Sequence, residues 1–487
     1  MSKKENEQAI TYTGIILNPC MNASMILDEL MRKFQSAKRY LRERIFDGLD
    51  RKQAVAKAKP LFLNNSRYMR DAFLDAESSI SSQTELLPLY IEQYKTSIQK
   101  IEKKIEKLQK STLSNKKDLI LNKQSRIKKL TKKMNYYLFH LQNGSIPKVI
   151  DGTKKRLTLL KKHKITKQEW MDSRTNALFS RGETSKGGNE NIKLCYIQDR
   201  SVEMNVLNPL SSKRNDRLCF VVQFPEKYIM TILTNLSIGK AYSVRILRED
   251  GKYYVHLTFI QKLNSSYDFS KGCAGMDINP DNLAVTIVYP NGNFRTSKVF
   301  WMKDVNSVSS TKRDWMIGNA VTSAIDWVKS NGIEVLAIED LYFKNDLSKN
   351  TKFNRMSSNF VYRKIITTII SKCIKEDVSL ANVPAYYSSL IGRVKYQKTY
   401  GLSIHQSAAL VLARRAMGFN EKIPNQLMSV LFAVEAKKGH QVSDLFKHWK
   451  KVQTWISGIK DQVYHSHEQY KHWFIDDFVN YANMQEA

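Results

Sequence analysis

The sequence predicts a multidomain chain of mixed α+β class. A small β-barrel domain carries a helical insertion, an α/β domain follows it, and a helical segment ends the chain. Three observations predict this. A strand-like stretch near the N-terminus gives way to helical periodicity from Met21 to about Leu141. Short strand patterns separated by turn signals fill Pro147 to Lys262. Strand and helix patterns then alternate from residue 272 to about 420. At 487 residues the chain is too long for a single core.

The elements follow in order. Ile10 to Leu17 reads as a strand stopped by Asn18-Pro19. Ile26, Leu27, Leu30, Met31, Phe34 and Leu41 then recur at helical spacing. Ile98, Ile101, Ile105 and Leu108 mark a second helix, and Leu119, Ile127, Leu130 and Met134 a partner. Thr112 to Asn115 is the turn that would join them as a hairpin. Residues 100–133 hold 13 Lys or Arg against three acids. A solvated face usually mixes both signs, so this one favours contact with a phosphate backbone. Leu218 to Phe224 and Tyr253 to Phe259 are strands, with Glu249-Asp250-Gly251 as a turn. The polar, glycine-rich stretch Ser180 to Asn189 lacks the Walker lysine order and follows no clear strand. It reads first as a flexible loop and second as a nucleic-acid contact through Arg181 and Lys186.

Further on, 311–330 and 358–377 read as helices, 333–339 and 378–383 as strands, and 403–417 as a helix rich in Ala and Leu. Trp449, Trp455 and Trp473 in the amphipathic tail read as core residues before base-stacking platforms. The expected boundaries are 1–20 with 142–270 for the barrel, 21–141 for the helical insertion, 271–424 for the α/β domain and 425–487 for the tail.

Lys and Arg number 78 against 46 Asp and Glu, a formal charge of +32. Such an excess favours nucleic acid, because each phosphate contact releases a counterion. A ribosome-associated or membrane-surface protein is the other class that charge permits. No apolar run is long enough to span a membrane. The first residues lack the apolar core of a signal peptide, so a cytoplasmic protein is expected. The five cysteines are far apart and form no Cys-x-x-Cys pair, which argues against a zinc ribbon or disulfide framework.

The chemistry concentrates at two acids. Asp277 stands at the head of an apolar run from Leu283 to Tyr289 that turns at Pro290 to Asn293. Glu339 closes the apolar strand beginning at Glu334. If those strands pair, the carboxylates meet, and two carboxylates on rigid strands can hold the hard cations that hydrolyse a phosphodiester. Asp340 falls on the opposite face to Glu339 by strand alternation, and Asp281 sits where an acid caps a turn.

Three segments carry a resemblance. Gly275-Met276-Asp277-Ile278-Asn279-Pro280-Asp281 through Val285 and Ala337-Ile338-Glu339-Asp340-Leu341-Tyr342-Phe343 resemble the first two RuvC motifs of the TnpB-like (OrfB) transposon-encoded proteins. Those proteins are related to the type V CRISPR effectors. Asn382 to Gly392 with Gly401 to Ala416 resembles the third motif of a branch without a zinc ribbon. The resemblance covers 272–424. It implies a RuvC-like, ribonuclease-H-like nuclease domain over 271–424, behind a wedge-like barrel and a helical recognition domain. It also implies a guide RNA, a double-stranded DNA target read beside a short flanking motif, Mg²⁺ or Mn²⁺ but no zinc, and a prokaryotic protein that joins the nucleoid when bound to DNA. Asp277 and Glu339 would be catalytic metal ligands.

The third position departs from the pattern. RuvC nucleases usually carry a carboxylate three residues before a small-residue pair. Here the pair is Ala408-Ala409 and His405 precedes it, with no acid between Asp377 and Glu421. His405 is the candidate third ligand and a candidate general base. Three outcomes stay open: an active site of Asp277, Glu339 and His405, an active site with another carboxylate, and a guided DNA-binding protein with an impaired nuclease. A guide-independent, junction-type nuclease is a further rival. Arg355, Arg363, Arg393, Lys395, Arg414 and Arg415 are the candidates for steering a phosphate backbone.

Overall fold

The structure is a computed structural model. It describes residues 7–110, 115–198, 201–264, 266–305, 308–340, 352–425 and 445–462, with Leu427, Asp476, Asp477 and Asn480; side chains of 352–360, 445–447 and 459–462 are outside that description. The chain divides into two compact units, Met1–Lys262 and Leu263–Ala487.

In the first unit, β1 (Glu7–Leu17) runs through the middle of a seven-stranded sheet. The other strands are β2 (Ala177–Ser180), β3 (Ile192–Gln198), β4 (Ser201–Leu207), β5 (Arg217–Gln223), β6 (Tyr242–Glu249) and β7 (Lys252–Lys262). Their order is β2-β6-β7-β1-β5-β4-β3, and every pairing is antiparallel. Among the described residues β2 and β3 form no ladder with each other. The structure thus gives a seven-stranded sheet where the strand spacing suggested a closed barrel. Period-two alternation sets the buried face: Ile10 and Tyr12 on β1 lie opposite Phe259 and Leu257 on β7, and Ile16 lies opposite Val222 on β5.

Four longer helices follow β1: α1 (Met21–Phe46), α2 (Arg51–Leu61), α3 (Ser66–Gln109) and α4 (Lys116–Gln142). Leu27, Leu30, Met31, Phe34 and Leu41 form the buried stripe of α1. The rings of Tyr90 and Tyr94 on α3 meet Tyr137 on α4 at 5.2 and 5.8 Å. No residue of α4 is fully buried, and Lys117, Lys128, Lys129, Lys132 and Lys133 are exposed. Two short helices, α5 (Lys154–Lys161) and α6 (Lys167–Asp172), precede β2, and α7 (Glu226–Ser237) follows β5. Sequence periodicity over Pro147 to Lys262 showed strands alone. The helices escaped it because each gives only two or three turns of signal.

The second unit is a five-stranded sheet between helical layers. Its strands are β8 (Cys273–Ile278), β9 (Asn282–Val288), β10 (Phe294–Trp301), β11 (Val335–Glu339) and β12 (Ser379–Val383), in the order β10-β9-β8-β11-β12. The first three form antiparallel hairpins, and β11 lies parallel to both β8 and β12. Every residue of β8 and β9 is buried, as expected of strands covered on both faces. Ala274, Met276, Ile278, Leu336 and Ile338 face a cluster built with α8 (Ser310–Ser330) and α9 (Lys352–Glu376). Cys273, Val335 and Ala337 face the opposite layer, which contains Leu410 and Ala413 of α12 (Ile404–Ala416). Between β12 and α12 run α10 (Ser388–Lys395) and α11 (Gln397–Tyr400). Beyond them α13 (Leu445–Gln462) buries Trp449, Val452 and Ile456 against Ile391, Val394 and Val411. That bears out the core reading of Trp449. Trp455 packs partly buried on the same cluster, and Trp473 lies outside the described residues.

Two glycines set how closely α12 approaches. A Cβ on Gly275 would stand 1.9 Å from the Ala409 carbonyl oxygen, and one on Gly392 would stand 2.6 Å from the Ser407 carbonyl carbon. Only glycine admits both contacts. Gly275→Ala should therefore destabilise this unit by about 1–3 kcal/mol or more in a urea melt, as overpacking does. Gly318→Ala on α8, where an added methyl meets nothing within 4 Å, should be neutral or stabilise by up to about 1 kcal/mol. Equal effects at the two positions would contradict this packing.

Candidate active site

Strand alternation decides which face the acids take. With Ala274, Met276 and Ile278 turned toward α8 and α9, Gly275 and Asp277 turn toward α12. The same alternation turns Glu339 that way on β11. In the parallel ladder Ile338 lies opposite Met276. Asp277 and Glu339 come one residue later in each strand, so they are neighbours at the carboxyl ends of adjacent parallel strands. In open α/β sheets that end of the strands is where ligands bind.

Each carboxylate is held by named groups. Asp277 is 6% exposed. Its Oδ2 accepts from Asn279 Nδ2 at 2.8 Å and lies 2.9 Å from His405 Nδ1. Glu339 Oε1 accepts from the Ser388 hydroxyl at 2.8 Å, in the first turn of α10. Arg415 donates to the carbonyls of Pro384 and Tyr386, fixing the loop that delivers Ser388. His405 sits in the first turn of α12, whose N-cap Ser403 forms a capping box with Gln406. Thr286 of β9 donates to the Gln406 carbonyl at 2.7 Å, pinning that turn to the sheet.

The electrostatics agree with the geometry. Burial raises Glu339 above the usual carboxylate range, and the charge of Asp277 adds to it, while the Ser388 hydrogen bond and Arg415 pull it back. The hydrogen bond to Asp277 raises His405 above the ordinary histidine value against a smaller effect of burial. Burial, then the charges of Asp277, Glu339 and Asp281, push the Tyr362 phenol on α9 up to about 12. Tyr362 packs on the α8–α9 side of the sheet and feels the site through its charge, and no sequence pattern marks it.

The donor set can be tested against a metal. Among the described residues no three His, Cys, Asp or Glu side chains converge as a ligand group. His405 is turned onto Asp277 through Nδ1 instead. Two adjacent carboxylates, one of them uneasy with its charge, suit a hard ion such as Mg²⁺, which typically takes one or two protein carboxylates and completes its shell with water and phosphate. The fit is thus to a pair of ligands, Asp277 and Glu339, with His405 behind Asp277 as an orienting neighbour.

The other candidate residues are dispersed. Arg393 lines a cavity of about 590 Å³ that opens beside Glu339, together with Tyr386 and Ser389. Arg363 is exposed on α9, and the side chain of Arg355 lies outside the described residues. Lys395 and Arg414 point inward: both reach Glu421, and Arg414 also donates to the Gly292 carbonyl at 2.6 Å. Glu421 is 6% exposed and also accepts from Tyr396 at 2.6 Å. Burial alone would raise it, but those three partners outweigh burial and hold it below the usual range. Its carbonyl accepts from Trp449 Nε1 at 2.8 Å, so this buried acid anchors α13. A lone acid among basic and aromatic residues was the signal that could have marked it. Arg181 and Lys186 belong to the first unit, where the stretch between them follows β2 and is closed by a Glu183–Gly188 bridge. The preceding strand was missed because it is only four residues long.

In metal-free protein, His405 should titrate above about 6.5 by imidazole NMR. The shift is upward, so the pair's contribution to folding is full below the unfolded histidine value and fades as pH rises through the folded one. Asp277→Asn should return the titration toward or below the ordinary value. An unchanged His405 titration would contradict the pair.

A family model described as the SSO2105 N-terminal domain matches residues 9–263. An uncharacterized protein, SSO2105, from Saccharolobus solfataricus is 23% identical over 256 residues, which cover 49% of this chain and 68% of that protein. Among solved structures, a Cas12f1–sgRNA–target DNA complex is similar over 84% of this chain and 99% of its own, at 9% identity and a TM-score of 0.30. The RuvC of T. thermophilus with a Holliday junction substrate is similar over 29% of this chain and 88% of its own, at 14% identity and a TM-score of 0.23. At those scores neither likeness bears on function. No TnpB-family model matches. The SSO2105 model spans just over half of the chain, and the chain belongs to that family.

Proposed function

We propose that this chain is a metal-dependent DNA endonuclease of the RuvC type, directed to its target by a guide RNA. The observation that carries the nuclease reading is the placement of Asp277 and Glu339 side by side at the ends of parallel strands β8 and β11. The strand order, with a three-stranded antiparallel meander continued by two parallel strands, supports a ribonuclease-H-like sheet. The guide RNA and the double-stranded target with a flanking motif rest on the resemblance of the three sequence segments, and the +32 charge is what such a pair of polyanions requires.

A divalent ion, Mg²⁺ or Mn²⁺, would supply an activated water and neutralise charge on the departing oxygen. The residues of the chain prepare its place. Asp277 and Glu339 would hold it, Ser388 orients Glu339, and Asn279 and His405 orient Asp277. His405 keeps a proton on Nδ1 for Asp277 and so stands as an orienting group and a proton reservoir. An exposed Tyr386 and Arg393 border the cavity beside Glu339, where a nucleotide next to the scissile phosphate would lie.

The test is plasmid cleavage by the protein purified with RNA transcribed from its own locus, on a target flanked by randomised bases, in Mg²⁺ or Mn²⁺. Asp277→Ala and Glu339→Ala should each reduce cutting to below about a thousandth of wild type. His405→Ala should cost roughly 10–100-fold, as loss of an orienting neighbour does. A plasmid that is bound but uncut in both metals would overturn the nuclease reading and leave a guided DNA-binding protein that represses or recruits. The hydrogen-bonded His405 in place of a third acid is the observation that favours that second reading.

A further inference from the structure

The first unit contains a strongly cationic cavity. It has a volume of about 680 Å³ and is bordered by Arg51, Lys52, Lys59, Ser66, Arg70 and Arg181. Five of those six are cations, and no carboxylate borders it. Among the described residues none of the five takes part in a side-chain ion pair or hydrogen bond. Arg67, by contrast, one residue into α3, is paired with Glu183 and Glu190.

The fold builds this arrangement. Arg51, Lys52 and Lys59 come from one face of α2, with the aliphatic Val55 and Ala56 between them. Arg70 comes from the second turn of α3, just beyond the corner that joins the two helices. Arg181 arrives from the sheet. Asp71, 3% exposed, accepts from the Arg181 backbone N–H at 3.2 Å and from the Ser180 hydroxyl at 3.2 Å. This buried carboxylate thus ties the end of β2 to α3 and sets Arg181 beside Arg70. Asn189 also accepts from Ser180 at 3.1 Å and steadies the same corner.

Five like charges around one concavity repel each other, and a concave wall focuses their field outward. A polyanionic ligand would supply the negative charge that the lining itself lacks. Sites for small molecules are mostly apolar with a few polar groups. This one is cationic on α2, on α3 and on the sheet side, which matches a run of phosphates.

We propose that this cavity holds the phosphodiester backbone of a nucleic-acid strand. The proposal deepens the reading above by placing a grip on the nucleic acid in the first unit, outside the carboxylate site. Binding in EDTA tests it, so its failure is separable from a failure to cleave. The full chain is titrated against a labelled single-stranded RNA, and against the DNA of the same sequence, across a series of salt concentrations. Arg70→Ala with Arg181→Ala should weaken binding roughly tenfold and reduce the slope of log K on log salt by about 1.4–1.8, two contacts' worth. Arg32→Ala with Lys262→Ala removes the same net charge at exposed, ion-paired positions outside the cavity and should leave both quantities near wild type. Arg70→Lys with Arg181→Lys should restore most of the binding, and unchanged thermal melts would show that the variants fold. A loss confined to RNA assigns an RNA strand, a loss confined to DNA assigns a DNA strand, and a loss of both assigns the backbone they share. Binding of both that matches the control pair would overturn the proposal.

Discussion

The close approach of α12 to β8 is the constraint on which the site depends. Gly275 lets the helix lie against the strand at Ala409, and Gly392 lets α10 lie against the same helix at Ser407. One turn of α12 before Ala409 stands His405, which therefore reaches Asp277 at 2.9 Å. On the other side α10 brings Ser388 to Glu339. Two positions without side chains thus decide where three functional side chains and a hydroxyl meet. Arg415, from the last turn of α12, closes the circuit by holding the loop before Ser388.

Charge is distributed along the same lines. The chain carries a large positive excess, yet a buried acid, Asp277, and a partly buried one, Glu339, sit side by side in the second unit. Each is bonded to neutral or protonatable neighbours, with Asn279 and His405 on one and Ser388 on the other. Neither is neutralised by a direct arginine or lysine pair among the described residues. Lys395 and Arg414, on the helices that follow β12, are taken up by Glu421 instead. A carboxylate pair left without a fixed cation partner is a place where a mobile divalent ion lowers the energy. Glu339, raised by burial and by Asp277, shows the strain that such an ion would relieve.

Much of this was legible in the sequence where the signal was local. An apolar run headed by Asp277 and a second closed by Glu339 identify strands by pattern, and alternation separates Glu339 from Asp340. The stripe on α1 and the Ala- and Leu-rich α12 were visible for the same reason. What stayed hidden depends on partners distant in the chain. Ser388 is an ordinary serine until α10 packs beside β11. Glu421 is an isolated acid until Tyr396, Arg414 and Trp449 surround it. Tyr362, on α9 across the sheet from α12, feels the charges of Asp277 and Glu339 only once the strands and helices are packed. Arg414 looked like a phosphate contact because its charge was visible and the Gly292 carbonyl it holds was not. The spacing of short strands announced a β domain in the first unit but neither the number of its strands nor whether the sheet would close, since closure is a matter of register between strands far apart.

The central claim is that Asp277 and Glu339 form one divalent-metal site. Titration calorimetry with Mn²⁺ on the purified chain, wild type against Asp277→Asn and Glu339→Gln, tests it without nucleic acid or catalysis. The account predicts a Mn²⁺ site in the wild type that either substitution removes, while His405→Ala leaves it weakened but present. Binding that survives both carboxylate substitutions unchanged would contradict it.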